Sequence, residues 1–404
     1  MVKKNHLFES EYRWPIYSDS DIHEIREAVS DYDLSYNQNE RFINEFENEC
    51  RTYFGTPYAL SLNSGTSALH LAFLALGISL GDEVLVPTYT FPATVMPLLH
   101  IGAKIVFIDC ESTISPKISV VDLKRKISKN TKAIVLSHMD GIDSNIREVT
   151  KIAKENKCYL IEDCAQAMGV HVDGKLLGTW GDVGVFSFQQ KKIVSAGEGG
   201  LLISPSESVY HKAILYSYLQ KRSYNEVTDR ELKKYSSTGL GFNLRMHPLI
   251  AKIAYTQLKN IEKNIASRRN CLIKLSSLLS KHDYFICPQY NEKDCSYYSF
   301  RILINPIYEH VNIDKYIANV NVCGVPIERS TSRPLHQEPV FNEKNAKQLF
   351  TIYQYLDVAF IKEGLVNSEI YSKRVMRVPA YYNLSSDGIE LLAEILIAEF
   401  KKLL

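Results

Sequence analysis

A chain of 404 residues with a formal net charge of +1 has room for two domains of ordinary size. It lacks the basic excess that nucleic-acid or membrane-surface binding leaves, so neither partner is expected. Its 45% hydrophobic and 23% charged residues exclude a disordered chain and fit a globular one.

The opening MVKKNHLFESEYRW carries no apolar core of a signal peptide, and the longest apolar stretch, residues 69–80, is too short to cross a bilayer. A cytoplasmic protein is the expectation. The eight cysteines, at 50, 110, 158, 164, 271, 287, 295 and 323, form no CxxC pair, so no metal site is expected and the thiols should be reduced.

Residues 64–76 read as a helix, with Leu69, Ala72, Phe73 and Leu76 at helical spacing. It opens in LNSGTSALH, where Gly65 permits close backbone approach and Thr66 and Ser67 offer hydroxyls. A helix start of this kind is a phosphate cradle or an ordinary Ser/Thr cap. Residues 83–87 read as a buried strand. YTFPAT follows, and Tyr89 or Phe91 can stack on a flat cofactor or fill the core. A helix over 91–100, a strand over 104–109, a helix over 121–127, a strand over 132–137, a helix over 146–155 and a strand over 158–162 come next. This alternation predicts an α/β fold with a mainly parallel sheet between helices. Ligands in such sheets gather at the carboxyl ends of the strands. Thr88–Phe91, Asp109, His138, Asp163 and Ser187–Lys192 all fall at such ends.

In IEDCAQAMG, Asp163 closes an apolar strand, where a lone carboxylate is costly. A protonated pyridine nitrogen would answer it, and so would a helix to cap. Gln166 can bond a ring hydroxyl or face solvent. The most telling stretch is GDVGVFSFQQKKIVSAGEGG, residues 181–200. It sets Lys192 after an apolar strand-like run and before a glycine-rich turn. Burial there disfavours the ammonium and leaves an amine able to form a Schiff base with an aldehyde cofactor. Asn243 and Arg245 lie in a glycine-containing loop that can reach a phosphate or simply start the next helix. After Pro248 the pattern changes to one or two long helices over 249–279, short β pieces at 298–303 and 325–328, and a helix over 386–404. The expected division is a large domain over 1–250, including an N-terminal arm, and a smaller α/β domain over 251–404.

The order NSGTS, TF, EDCAQA, SF with Lys192 and then GEGG, and finally GFN resembles the DegT/StrS-type sugar aminotransferases, pyridoxal-phosphate enzymes of fold type I. The resemblance covers nearly the whole chain. It implies an aspartate-aminotransferase-like large domain and a Schiff base on Lys192 rather than Lys191. It further implies Asp163 at the pyridine nitrogen, Gln166 at the ring oxygen, Thr66, Ser67 and Ser187 at the phosphate, and Phe91 stacked on the ring. Asn243 would reach the phosphate of a neighbouring subunit in a homodimer. His336, in RPLHQEP, would lie near the substrate. Where the family commonly has histidine this chain has Gln189, and HMDG lacks the aromatic often found before that glycine. Arg333, in STSRP, can meet an anionic group on the substrate or stand on the surface. The implied reaction moves an amino group from glutamate or glutamine to a keto-sugar, nucleotide-linked or phosphorylated, or to a keto-cyclitol. Such chemistry serves amino-sugar, polysaccharide or secondary-metabolite biosynthesis. Two alternatives remain: a sugar dehydratase, whose group carries histidine where Lys192 stands, and a regulatory pyridoxal-phosphate-binding homologue.

Overall fold

The computed structural model describes residues 10, 14–30, 34–35, 40–288, 295–329 and 333–404. Seven apolar runs build most of the central sheet: β1 (Tyr58–Leu62), β2 (Glu83–Pro87), β3 (Lys104–Ile108), β4 (Thr131–Ser137), β5 (Tyr159–Asp163), β6 (Val183–Ser187) and β7 (Gly200–Ser204). Most of their residues are buried, as strands covered on both faces require. Five further strands follow beyond the long helices: β8 (Phe285–Ile286), β9 (Phe300–Ile304), β10 (Glu328–Arg329), β11 (Phe360–Ile361) and β12 (Val375–Val378). The large sheet has eight strands in the order β1-β7-β6-β5-β4-β2-β3-β11. All pairings from β6 to β11 are parallel, while β7 runs antiparallel between β1 and β6. The GEGG turn makes that reversal, with Gly197 and Gly199 at φ 83° and 135°, where a side chain would be strained.

Helix α1 spans Arg41–Phe54, α2 Gly65–Ala75, α3 Ile146–Glu155, α4 Pro248–Lys259, α5 Ile261–Leu279 and α6 Ser386–Lys401. The stretch expected as one helix over 91–100 divides into a 3₁₀ turn, Pro92–Thr94, and a short helix, Met96–Ile101. Each piece has a proline in its first turn, which starts a helix well but cannot continue one. The stretch 249–279 is two helices, broken at Asn260. The strand expected at 325–328 is β10, because Val325 and Ile327 turn instead into the small core.

Packing does not divide the chain at residue 250. The large core takes in Ala251, Ala254 and Leu258 of α4 and Ile261 and Ile265 of α5. It also recovers Leu335, Phe341, Tyr353, Phe360 and Leu365, which return after the small core has begun. The return has a physical reason: β11 covers the otherwise bare edge of β3. Apart from Ile142, the small core starts at Cys271 and closes with α6. Its antiparallel sheet, β8-β9-β12-β10, turns Phe300, Ile302, Met376 and Val378 inward. Alternation then sends Arg301 and Arg377, which are register partners, to the other face. Among the described residues no helix is long and apolar enough to cross a membrane.

Candidate active site

The floor of the site is a seam of backbone. Ser64 caps α2 by accepting the Ser67 N–H at 3.1 Å, so the Ser67 hydroxyl turns to Asn63 Oδ1 at 2.7 Å. A Cβ on Gly200 would fall 2.2 Å from the Ser64 carbonyl, and one on Gly65 3.0 Å from Ser187 Cβ. Glycine at both places lets the amino end of α2 press against β6 and β7. The N–H groups of that first turn, with the positive end of the helix dipole, form an anion seat.

A cleft of about 460 Å³ opens above the seam. Ser64, Gly65, Thr66, Ser187, Phe91, Asp163, Gln166, Gln189 and Lys192 line it. Asp163 ends β5 and is 6% exposed. Its carboxylate accepts the Thr94 hydroxyl at 2.6 Å and the Ala165 N–H at 3.0 Å. Thr94 is held in turn by Thr90 at 2.8 Å, whose Oγ1 lies 2.9 Å from Ser137 Oγ. Both donors to Asp163 are neutral, so the buried carboxylate is well placed to meet a cation from the cleft. Lys192 is half-buried, with Nζ 4.8 Å from the centre of the Tyr298 ring. Phe91 lies 59% exposed at the rim, an uncovered aromatic face of the kind a flat ligand ring can stack on. Gln166 spends its Oε1 on the Asp140 N–H, at 2.8 Å, so its amide hydrogens are what it can offer a ligand.

The small domain supplies the opposite wall: Tyr298, Arg301, Glu328 and Arg377. Arg301 is 8% exposed and bonds Asp140 Oδ1 through Nε at 2.5 Å. Burial works against its charge, but Asp140 more than restores it, and the guanidinium is held well above its ordinary value. Asp140 is the residue before Gly141, where HMDG lacks the aromatic often found in the family. Arg377 pairs with Glu328.

Other expected residues lie elsewhere. Ser67 is not in the cleft lining. Tyr89 is 1% exposed and packs edge-on to Tyr371, so Phe91 is the accessible ring. Asp109 accepts the N–H groups of Cys110, Asn367 and Ser368 and stands beneath the helix Val366–Arg374. His336 has both ring nitrogens engaged, Nδ1 with Thr88 at 2.7 Å and Nε2 with Glu369 at 2.9 Å, and lies outside the lining. Arg333 is exposed, and the STS run before it lies outside the described residues. Asn243 is also exposed, in a loop whose Leu244 carbonyl accepts the Asn63 N–H beside the start of α2.

His138, Glu162 and Cys164 come within 4.8 Å of one another. Their bonding describes a polar plug rather than a ligand set. Glu162 accepts the N–H groups of Gly178, Trp180 and Gly181, each at 2.7 Å. His138 Nδ1 accepts the Ser144 N–H, which leaves the proton on Nε2. Burial pushes the Cys164 thiol well up, so it stays protonated.

The family model for the DegT/DnrJ/EryC1/StrS aminotransferase family matches residues 19–396. The chain is 32% identical over 352 residues to the GDP-perosamine synthase of Vibrio cholerae, covering 87% of this chain and 88% of that one. It is 31% identical over 309 residues to the GDP-perosamine synthase of Escherichia coli O157:H7, covering 76% and 80%. Among solved structures, the aminotransferase from Psychrobacter cryohalolentis superposes with a TM-score of 0.85 at 23% identity, over 97% of this chain and 99% of that one.

Proposed function

Because the chain belongs to the DegT/DnrJ/EryC1/StrS aminotransferase family, we propose that it uses pyridoxal phosphate to move an amino group from glutamate or glutamine to a nucleotide-linked keto-sugar. One observation carries this reading: a half-buried lysine, a buried carboxylate met by neutral donors and the open end of a helix share one cleft.

The residues present fit the cofactor. Gly65 leaves room at the helix end that a Cβ would crowd, and Thr66, Ser187 and the α2 amides would hold the phosphate. Phe91 would cover one ring face. Asp163 would hold the proton on the pyridine nitrogen, and Thr94 and Ala165 fix the carboxylate for that task. When bound, pyridoxal phosphate supplies the electron sink that stabilises a carbanion on an amino acid's α-carbon. Lys192 would anchor the cofactor through Nζ. With its amine free, Lys192 would take the proton from the donor α-carbon as general base. In the second half-reaction the same amine would give a proton to the acceptor carbon that receives the nitrogen. The Tyr298 ring beneath Nζ keeps the amine over the cleft through both halves.

The relatives named GDP-perosamine synthase favour a nucleotide-linked sugar over a keto-cyclitol as acceptor. Lysine at 192 opposes the dehydratase alternative, and the intact Lys192–Asp163 pair opposes a purely regulatory one. The reading includes a homodimer, with the exposed Asn243 reaching a phosphate in the neighbouring cleft. His336 and Arg333 are left outside it, the first fully bonded and the second on the surface.

The test is spectroscopic. Protein loaded with pyridoxal phosphate should show a visible band that glutamate, glutamine or GDP-perosamine bleaches. Lys192→Ala should lack both the band and turnover. A Lys192→Ala protein that turns over, or a wild-type band that no amino donor alters, would refute the proposal.

A further inference from the structure

Lys192 is gripped from outside its own loop. The loop closes on itself through Lys192 N–H to Gln189 O at 2.8 Å, Gln190 N–H to Gly197 O at 2.9 Å and Ala196 N–H to Phe188 O at 2.9 Å. These bonds use the lysine's backbone donor and leave its carbonyl facing out. The indole N–H of Trp14 donates to that carbonyl at 2.6 Å, across 178 positions of sequence. On the Trp14 ring, at 4.0 Å, sits the guanidinium of Arg268 from α5. Arg268 is 2% exposed, and its Nε has no hydrogen-bond partner among the described residues. Burial lowers it to about 10, while Tyr298 and Tyr382 nearby act to raise it. A cation so placed is stabilised by aromatic faces, and Trp14 is the ring it lies over. Tyr382 meets Trp14 edge-on at 5.8 Å, and Gln257 Nε2 of α4 ties down the Ile16 carbonyl at 3.1 Å. Trp14 therefore joins three things: the backbone of Lys192, a buried cation of the linking helix, and, through that cation, the neighbourhood of the Tyr298 ring that carries Nζ.

We infer that Trp14 is a positioning residue for Lys192, its indole N–H fixing the lysine's carbonyl while its ring seats Arg268. This rests on Lys192 being the cofactor-bearing lysine. The indole does not touch the reacting atoms. It restricts where the amine can stand when it collects and returns a proton, and small displacements there are costly to rate.

Trp14→Phe removes the N–H donor and keeps an aromatic face for Arg268. Loss of one hydrogen bond at this point should lower kcat about tenfold, with the KM for glutamate within about twofold of wild type and the pH midpoint of the visible band displaced. A mere packing role would lower the amount of folded protein without splitting kcat from KM. The chain has two tryptophans, Trp14 and Trp180, so Trp180→Phe leaves Trp14 as the sole fluorophore. In that holoenzyme, acrylamide should quench Trp14 weakly, and adding Arg268→Leu should open it to quencher. Wild-type kcat in Trp14→Phe, a rise in KM without a fall in kcat, or free quenching of Trp14 would each overturn the inference. Lys192→Ala run in parallel separates the two proposals: an active Lys192→Ala protein defeats the reading of the lysine, whereas an inactive one beside a normal Trp14→Phe defeats the role of Trp14 alone.

Discussion

Two groups of polar residues crown the same sheet and behave differently. Over β2 and β3 stand Thr88 and Asp109; over β4, β5 and β6 stand His138, Asp163 and Ser187. The first group is closed. Asp109 is saturated by three backbone N–H groups, and Thr88 is spent on His336, which is itself bonded to Glu369. The second group, apart from His138 in its polar plug, is open. Asp163 has two neutral donors and a cleft in front of it. Position at the carboxyl end of a strand is thus shared by both groups, and it is unspent bonding capacity that separates a candidate site from a structural joint.

Substitutions can break or sharpen that contrast. The largest effect is expected from Asp163→Ala: turnover should fall about 10³-fold or more, with a thermal midpoint close to wild type, measured by steady-state kinetics and calorimetry. Asp109→Ala should show the reverse. Three backbone N–H groups and the Ser368 hydroxyl lose Asp109 as acceptor, at a cost of about 3 kcal/mol, while turnover per folded molecule holds; a chemical denaturation curve measures it, and a selective loss of turnover would erase the contrast. Gly65→Ala tests the open side more gently. Its Cβ would sit 3.0 Å from Ser187 Cβ, and cofactor affinity should drop about tenfold, near 1.4 kcal/mol, in a titration of the apoprotein. The smallest effect is on the closed side. The hydrogen bond from His336 leads the causes that hold Glu369 below its usual range, against the opposing pull of its partial burial. A carboxyl lowered on folding adds stability above its unfolded pKa of about 4.3 and loses it as pH falls through the folded value. His336→Gln should flatten that acid limb by less than about 1 kcal/mol, since Glu369 is partly exposed, in thermal melts between neutral and acid pH.

Much of the large domain was legible because buried parallel strands leave plain apolar runs between helical periods. Lys192, Asp163, Phe91, Gln166 and Ser187 were legible for the same reason: each follows such a run at the end where ligands collect. Tyr89 and Phe91 show the limit. Both are aromatic and two positions apart, yet one is core and the other rim, and only the path of the chain after β2 decides which. Ser64 was overlooked beside Thr66 and Ser67, although a serine just before a helical period is the ordinary cap. The small-domain wall was not read from the sequence, because Tyr298, Arg301, Glu328 and Arg377 meet the cleft only through the packing of the small domain against the large one. A signal did exist. Arginine inside FRILI and VMRV, two otherwise apolar strands, and aspartate in HMDG each lack a reason alone and find one in Asp140–Arg301 and in the wall they form. The return of the chain to the large core was not legible, because nothing in residues 335–365 announces that they come back to cover β3.

The contact of Gly200 with the Ser64 carbonyl has a bearing on how such a protein can diversify. A joint made of main chain offers no side chain to exchange, so any bulk added there is felt at once by the anion seat. The arginine wall across the cleft is built of long side chains on a separate sheet and can be rewritten without touching that joint. New acceptors should therefore be reached by altering β9, β10 and β12, leaving the glycine seam as the invariable half of a two-part mould.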